Sequence, residues 1–302
     1  MSAVAGSALM APGFRSARAA IGELGIIPLT SRLSMITGAG GNVTILETDE
    51  GLALVDSGAP ERSDALLGFI DEAFEGAPIR LLFNTHWRPD HTGANEAIAR
   101  RGATIVAHEN TRLWMTTEYY VEWERKNYTP RPEAAWPTDT FHSSDPQPLH
   151  RELGGYRIEY GHLAEAHTDG DIYVRFPEDD VIAVGDVLAV GAFPVLDYST
   201  GGWIGGSQAA MQQLIELTDA GTQIIAGEGP PQTRDALEAQ LAMLDELRER
   251  IRQRILAGKG VSEIVTENAA IMEGYESLPN PEQFVHNVYN GLWWGGRLRG
   301  AY

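Results

Sequence analysis

Residues 85–93 read Thr-His-Trp-Arg-Pro-Asp-His-Thr-Gly, and they directly follow an apolar run, Ile79 to Phe83, that predicts a buried strand. Two imidazoles and one carboxylate, from His86, His91 and Asp90, therefore crowd together where this strand ends. Turns after strands are where rigid scaffolds present catalytic groups, and imidazole and carboxylate are the usual protein ligands of zinc and iron. The stretch predicts a metal or catalytic site at the end of the strand.

The composition indicates a strongly acidic globular protein. The chain has 302 residues, 43% hydrophobic and 22% charged, which is enough to bury a sizeable core. Its 23 basic and 42 acidic residues give a net charge of −19, so we expect neither nucleic acid nor a membrane surface as a partner. Cysteine is absent, which excludes disulfides, thiolate ligands and cysteine nucleophiles. Any metal must therefore be bound by His, Asp and Glu.

The two parts of the chain differ in character. Residues 1–30 begin with a stretch rich in Ala and Ser that lacks the basic region of a signal peptide, and they predict a flexible leader of a cytoplasmic protein. Residues 31–302 predict one domain, with a small molecule as its substrate.

Alternating short strands and helices predict the fold class. Apolar runs bounded by turn residues predict strands at 43–46, 52–55, 79–83, 104–107, 156–160, 171–176, 181–184 and 223–226. Periodic apolar positions predict helices at 64–74, 95–101, 113–126, 207–217 (with Ser207 as N-cap), 233–257, 262–272 and 281–294, and Pro-rich residues 129–148 predict a long loop. This order indicates an α/β four-layer αββα sandwich, with two sheets packed face to face and helices outside.

Five stretches together resemble the metallo-β-lactamase superfamily over roughly residues 35–235. They are the His86 to His91 turn (similar to His-x-His-x-Asp-His), Asp56-Ser57-Gly58, Ala166-His167-Thr168-Asp169-Gly170-Asp171, Gly185-Asp186 and Gly227-Glu228-Gly229. The resemblance implies a dinuclear site in two lobes. The first lobe would take His86, residue 88 and His167, the second would take Asp90, His91 and residue 228, and Asp186 would bridge them. The Asp56 turn would be structural.

Two positions depart from that pattern. Arg88 stands where the second His belongs, and a guanidinium has no lone pair to donate to a metal. Glu228 stands where the last His belongs, and it can serve as a ligand only as a harder oxygen donor. We therefore expect an altered site that binds at most one metal.

The leading interpretation is a hydrolase with one divalent metal, zinc foremost, with iron or manganese as alternatives. The metal would lie in the second lobe on Asp90, His91, Asp186 and Glu228. Asp90 would also orient or deprotonate the attacking water, and Arg88 would bind an anionic or carbonyl oxygen of the substrate. Trp87 would line the cavity. The substrate would be a small-molecule ester, lactone, thioester or amide.

Two other interpretations stay open. In one, iron binds His86, His167 and Asp186, a set similar to that of the persulfide dioxygenases of this superfamily. In the other, Arg88 pairs with Glu228, Asp90 or Asp186 and no metal binds. The protein would then bind a small molecule or use the Arg88 and Glu228 pair in acid/base chemistry.

Outside these motifs we expect structural roles. His108, at the end of a predicted strand, is interpreted as structural, and Trp293 and Trp294 on the last helix are predicted to be buried.

Overall fold

A computed structural model describes residues 22–145 and 147–293. The strands are β1 Gly25–Pro28, β2 Leu33–Thr37, β3 Val43–Thr48, β4 Gly51–Val55, β5 Ile79–Phe83, β6 Thr104–His108, β7 Tyr119–Val121, β8 Lys126–Tyr128, β9 Asp139–Phe141, β10 Leu149–Leu153, β11 Tyr156–His162, β12 Ile172–Phe176, β13 Val181–Gly185 and β14 Gln223–Ala226. The helices are α1 Ser63–Ala73, α2 Pro89–Thr92, α3 Asn95–Arg100, α4 Glu109–Thr116, α5 Ile204–Leu217, α6 Arg234–Leu256, α7 Val261–Thr266, α8 Asn268–Ile271 and α9 Pro281–Trp293.

Two large sheets organise these strands. The first has seven strands in the order β1-β2-β3-β4-β5-β6-β9, and the second has five in the order β10-β11-β12-β13-β14. Strands β4, β5, β6 and β9 run parallel, as do β13 and β14. A separate hairpin, formed by the antiparallel strands β7 and β8, belongs to neither sheet.

Alternating side chains divide the core into layers. In β13, Val181 and Ala183 pack between the two sheets, whereas Ile182 and Val184 pack against helices of the second half. Buried residues of α5, α6 and α9 form that outer layer, and buried residues of α1 and α3 cover the opposite face of the first sheet. Because successive residues of a strand face opposite sides, sheets covered on both faces read as continuous apolar runs. The predicted αββα sandwich is confirmed.

Several predicted elements differ from the structure. The helix predicted over 113–126 is wrong: α4 ends at Thr116, and the aromatic and β-branched residues Tyr119 to Val121 enter the hairpin. The loop predicted at 129–148 contains the short strand β9. Helix α5 begins at Ile204 with Trp203 as its N-cap residue, so Ser207 lies inside the helix rather than capping it.

The structure also differs from the prediction near both ends of the described residues. Strand β1 pairs with β2, so the first sheet begins at Gly25, within the predicted leader. Trp293 is 59% exposed, so its predicted burial is wrong, and Trp294 lies outside the described residues. In the described part of the chain, no helix combines the length and apolarity that crossing a membrane requires.

Candidate metal centre

The carboxyl ends of the parallel strands from both sheets supply the site. Strand β5 ends shortly before His86 and His91, β4 ends just before Asp56, and β13 leads into Asp186. His167 comes from the loop between β11 and β12. Neighbouring parallel strands end at one edge of a sheet, and this edge is where α/β folds place ligands.

Four of the predicted ligands cluster together, with His86 next to each of the other three. Asp186 places Oδ2 3.7 Å from His86 Nε2 and Oδ1 3.3 Å from His91 Nε2. The ring of His86 lies 4.4 Å from that of His91 and 4.6 Å from that of His167, measured between ring centres. All three imidazoles are buried, and the Asp186 side chain is 24% exposed. The cluster is thus open to solvent on the carboxylate side.

Four of the ring nitrogens at this centre have no hydrogen-bond partner among the described residues. Counting partners within residues 22–145 and 147–293, Nε2 of His86, His91 and His167 makes no hydrogen bond, nor does Nδ1 of His167. Buried polar atoms are rarely left so, because each orphan costs about 1–3 kcal/mol. Three imidazoles and one carboxylate form a donor set that suits a divalent metal such as zinc. The residues present therefore fit the metal that the resemblance implies.

Asp56 orients two of these imidazoles. Its Oδ2 accepts hydrogen bonds from Thr85 Oγ1 at 2.7 Å and from His91 Nδ1 at 2.8 Å. Since the Thr85 hydroxyl gives its proton to Asp56, it accepts from His86 Nδ1, which lies 2.9 Å away. In both rings Nδ1 then carries a proton, and Nε2 is the nitrogen that faces Asp186. A carboxylate behind a ligand His is a common way to fix the tautomer.

The three imidazoles differ in the direction of their pKa shifts. Burial lowers the pKa of His167 to about 3 and, with the charges of His91 and His167, holds the pKa of His86 well below its usual range. Burial also opposes the charged form of His91, but the carboxylates of Asp186 and Asp56 outweigh it and raise its pKa well above the ordinary value. The neutral His86 and His167 can donate lone pairs, whereas a metal must displace a proton from His91.

Glycine at position 227 makes room for the centre. A Cβ atom there would lie 2.0 Å from Asp186 Oδ1 and 2.8 Å from His91 Cε1, so any larger residue would displace the carboxylate. Asn42 fixes the same loop, because its Nδ2 donates to the carbonyl oxygens of Ala226 at 3.0 Å and Gly229 at 2.8 Å.

Two predicted ligands lie apart from the cluster. Among the described residues, sets of three or more ligand atoms within 4.8 Å of one another are formed by His86, His91 and Asp186 and by His86, His167 and Asp171. Neither set includes Asp90 or Glu228, which are both half-buried. The two sets share His86, and His167 belongs to the set without His91 and Asp186. Asp171 accepts hydrogen bonds from the amides of His167 and Thr168 and from the Thr168 hydroxyl, so it braces the His167 turn.

Arg88 is directed to other carboxylates. Its Nη2 forms a short ion pair with Glu124, and its Nη1 lies 3.6 Å from Asp197 Oδ2. The guanidinium also stacks over the rings of Trp87, at 5.3 Å, and Trp123, at 5.4 Å. Burial opposes its charge, but the carboxylates, Glu124 above all, raise its pKa further above the ordinary value. The pairing predicted with Glu228, Asp90 or Asp186 is replaced by these two partners.

Trp87 belongs to an aromatic cluster beside the turn. It is fully buried and packs edge-on against Tyr119 and Tyr128, with ring centres 5.2 and 4.9 Å away. Its Nε1 donates to Thr200 Oγ1 at 3.3 Å. The side chain that was predicted to line the cavity thus packs behind the turn, with no exposed surface.

Sequence reasoning missed the roles of Asp56, Glu124 and Asp197. The role of Asp56 could have been predicted from the sequence. Asp56 directly follows β4, which runs parallel to β5, so it lies at the same edge of the sheet as His86. Glu124 and Asp197 carry no motif, and only the folded chain brings them to Arg88.

Residues 36–250 match the family model of the metallo-beta-lactamase superfamily, and the chain belongs to that superfamily. Among curated proteins, none matches the chain.

Solved structures show the same fold at low sequence identity. A metallo-beta-lactamase from Pontibacter korlensis has 21% identity and a TM-score of 0.59, over 74% of this chain and 99% of its own. The BLEG-1 B3 metallo-beta-lactamase has 18% identity and a TM-score of 0.57, over 73% and 99%. The sec-alkylsulfatase Pisa1 from Pseudomonas sp. has 17% identity and a TM-score of 0.64; 92% of this chain is covered, and this chain spans 51% of the alkylsulfatase.

Proposed function

We propose that this protein is a hydrolase that uses one divalent metal, zinc foremost, to cleave a small-molecule ester, lactone, thioester or amide. The observation that carries the proposal is the cluster of three buried imidazoles centred on His86, which lies beside His91, His167 and Asp186. His86, His91, His167 and Asp186 would hold the metal. This set takes members from both lobes of the family pattern.

The proposed ligand set follows the contacts. His91 lies 3.3 Å from Asp186 and is oriented by Asp56, so it enters the set although the iron interpretation leaves it out. Asp90 and Glu228, which the leading interpretation counts as ligands, stay outside both clusters among the described residues. An oxygen-activating iron site remains the alternative for His86, His167 and Asp186, and the identity of the bound element separates the two.

The residues of the chain divide the work. When bound, a divalent metal polarises a carbonyl oxygen and acidifies water to a pKa of roughly 7. Asp90, half-buried on the same turn, would orient that water or accept its proton. The predicted contact of Arg88 with a substrate oxygen stays a prediction, and it would require Nη1 to turn away from Asp197, because Nη2 is taken by Glu124.

A metal-free interpretation has one observation in its favour. His91 lies between Asp56 and Asp186, at 2.8 and 3.3 Å, so a protonated imidazole can neutralise the two carboxylates without a metal. Such a protein would bind a small molecule or perform acid/base chemistry. It would, however, leave His86 and His167 without partners at Nε2 among the described residues, and for this reason we favour the metal.

Hydrolysis of chromogenic esters, thioesters, lactones and amides tests the proposal. The assay compares protein as purified, after EDTA treatment, and after zinc, iron or manganese is restored. We expect turnover of at least one class to disappear with EDTA and in Asp186→Asn, and to return with metal only in the unsubstituted protein. Asp235→Asn, the same change at an exposed helix position, is the control and should behave like the unsubstituted chain. Turnover that is equal with and without metal, and equal in Asp186→Asn, would contradict the proposal.

A further inference from the structure

The hairpin β7–β8 lacks the support of a larger sheet. Its two strands have three residues each and, among the strands of the described residues, pair only with each other. An isolated two-stranded hairpin is marginally stable in water, so its position depends on tertiary contacts. The question is which contacts hold it.

Aromatic rings attach the hairpin to the turn that carries His86 and His91. Tyr119 and Tyr128, one from each strand, stack on each other with ring centres 5.4 Å apart, and both meet the edge of Trp87. Apolar packing of this kind gives affinity, but it fixes the orientation of the hairpin less strictly than directional polar contacts do.

A buried ion-pair cluster supplies the directional contact. Arg88 reaches from the turn to Glu124, which lies between the two strands of the hairpin, and Glu124 also accepts a hydrogen bond from Tyr128 at 2.6 Å. The Arg88 and Glu124 side chains are only 5% and 9% exposed. Charges buried to this degree are strongly coupled, because solvent does not screen them.

The same cluster reaches the loop that follows β13. Asp197 faces Arg88 Nη1 at 3.6 Å and accepts a hydrogen bond from Trp123 of the hairpin at 2.9 Å. The amide of Asp197 donates to the carbonyl oxygen of His167 at 2.9 Å. Arg88 thus connects three segments: its own turn, the hairpin, and the segment joined to the candidate ligand His167.

We propose that Arg88, at a position where a metal ligand is missing, is a positioning residue that clamps the hairpin β7–β8 over the turn through Glu124. The clamp fixes the hairpin against the turn that carries His86 and His91, and it holds whether or not a metal is bound, so it does not depend on the proposed function. Glu124 is the residue that makes the clamp specific to this hairpin.

Hydrogen–deuterium exchange of the full-length protein tests the clamp. In Glu124→Gln, which removes one buried charge and adds none, amides of residues 119–128 should exchange about tenfold faster, while amides of β12 in the central sheet keep their rates. Glu122→Gln is the matched control, because Glu122 lies on the same hairpin but is exposed. Its exchange should stay within about twofold of the unsubstituted protein.

A second variant distinguishes a clamp from a general loss of stability. Combining Glu124→Gln with Arg88→Met should accelerate hairpin exchange no further than Arg88→Met alone, because the two residues act through one contact. Equal hairpin exchange in Glu124→Gln and Glu122→Gln would overturn the proposal, as would acceleration spread evenly over β12. Metal content measured in the same samples reports separately on the proposed function, and we expect Glu124→Gln to leave it unchanged.

Discussion

Both sides of the turn 86–91 place nitrogen-bearing side chains against carboxylates, but one side offers ligands for a metal and the other forms a buried ion pair. On one side, His86 and His91 present unpaired Nε2 atoms to Asp186, within the described part of the chain. On the other side, Arg88 is enclosed by Glu124 and Asp197 and by the rings of two tryptophans. The first side offers ligand atoms to a metal, and the second contains a fixed cation.

The difference between the two sides follows from the chemistry of Arg88 and of the imidazoles. A guanidinium carries its charge permanently and offers only donors, so it collects carboxylates and closes the space around itself. Imidazoles held in one tautomer keep a lone pair available and leave that space for a metal. We infer that position 88 has a structural role, while His86, His91, His167 and Asp186 keep ligand chemistry.

The largest expected effect is on stability. Arg88→Met removes the cation from two buried carboxylates, and breaking a buried pair in this way costs about 3–5 kcal/mol of unfolding free energy. Urea unfolding measures this cost. Arg100→Met, which removes an exposed pair with Glu96, is the control and should cost no more than about 1 kcal/mol. Similar small losses in both variants would mean that the Arg88 side is not an ion-pair core.

Next in size is the effect of the central carboxylate on metal affinity. Asp186→Asn keeps the shape of the side chain but removes the charge shared by His86 and His91, so zinc affinity should fall roughly 100-fold or more. Asp90→Asn, on the same turn but outside the ligand clusters, should change affinity much less. Competition with a chromogenic chelator measures both. A larger loss of zinc affinity in Asp90→Asn would place the metal in the second lobe, with Asp90 as a ligand.

A smaller effect is expected from the residue behind the ligands. Asp56→Asn weakens the hydrogen bonds that orient His91 and Thr85, and loss of such a partner typically lowers metal affinity by about 10–100-fold. Thr85→Val interrupts only the connection to His86 and should cost less. Calorimetric zinc titration ranks the two variants, and the reverse order would show that the contact of Thr85 with His86 contributes more to zinc affinity than the contacts of Asp56.

The smallest expected effect concerns a histidine that is not a ligand. His108 ends β6, beside β5, but its Nδ1 accepts from the Asn110 amide at 3.3 Å and its Nε2 contacts Ser143 Oγ at 3.1 Å. Burial, helped by His162, lowers its pKa to about 3 from the ordinary 6.5. The unfolded chain therefore takes up a proton that the native state refuses, and stability contributed by neutral His108 is lost as pH falls from about 6.5 towards 3.

The matching measurement is unfolding free energy against pH. His108→Asn, which keeps a side chain suited to cap α4, should flatten the decline between pH 6 and pH 5 by up to about 1.4 kcal/mol. Metal content should stay unchanged. An unaltered slope would mean that His108 is protonated in the native state, and lost metal would make it part of the site.

The sequence predicted the sandwich because its sheets are covered on both faces. Runs such as Leu52 to Val55 and Val181 to Val184 are apolar throughout and buried, as expected for strands that are covered on both faces. The hairpin at 119–128 was mistaken for a helix, because its stability comes from Trp87 and Arg88, which lie about thirty residues earlier in the chain. Local patterns carry no information about such contacts.

The site was predictable to a similar extent. Motif order located His86, His91, His167 and Asp186 near one another, and the structure brings those four together. The partners of Arg88 were not predictable, because any carboxylate of an acidic chain could have filled that role. Asp56 was assigned a structural part, whereas its side chain orients the imidazoles.

Elemental analysis of protein purified without added metal or a metal-affinity tag tests the central claim most directly. The account predicts about one equivalent of a divalent metal per chain, with Asp186→Asn at background. Zinc or manganese would favour the hydrolase, and iron the oxygenase alternative. No metal, even after incubation with zinc and iron, would contradict the account and leave His91 as the cation between Asp56 and Asp186.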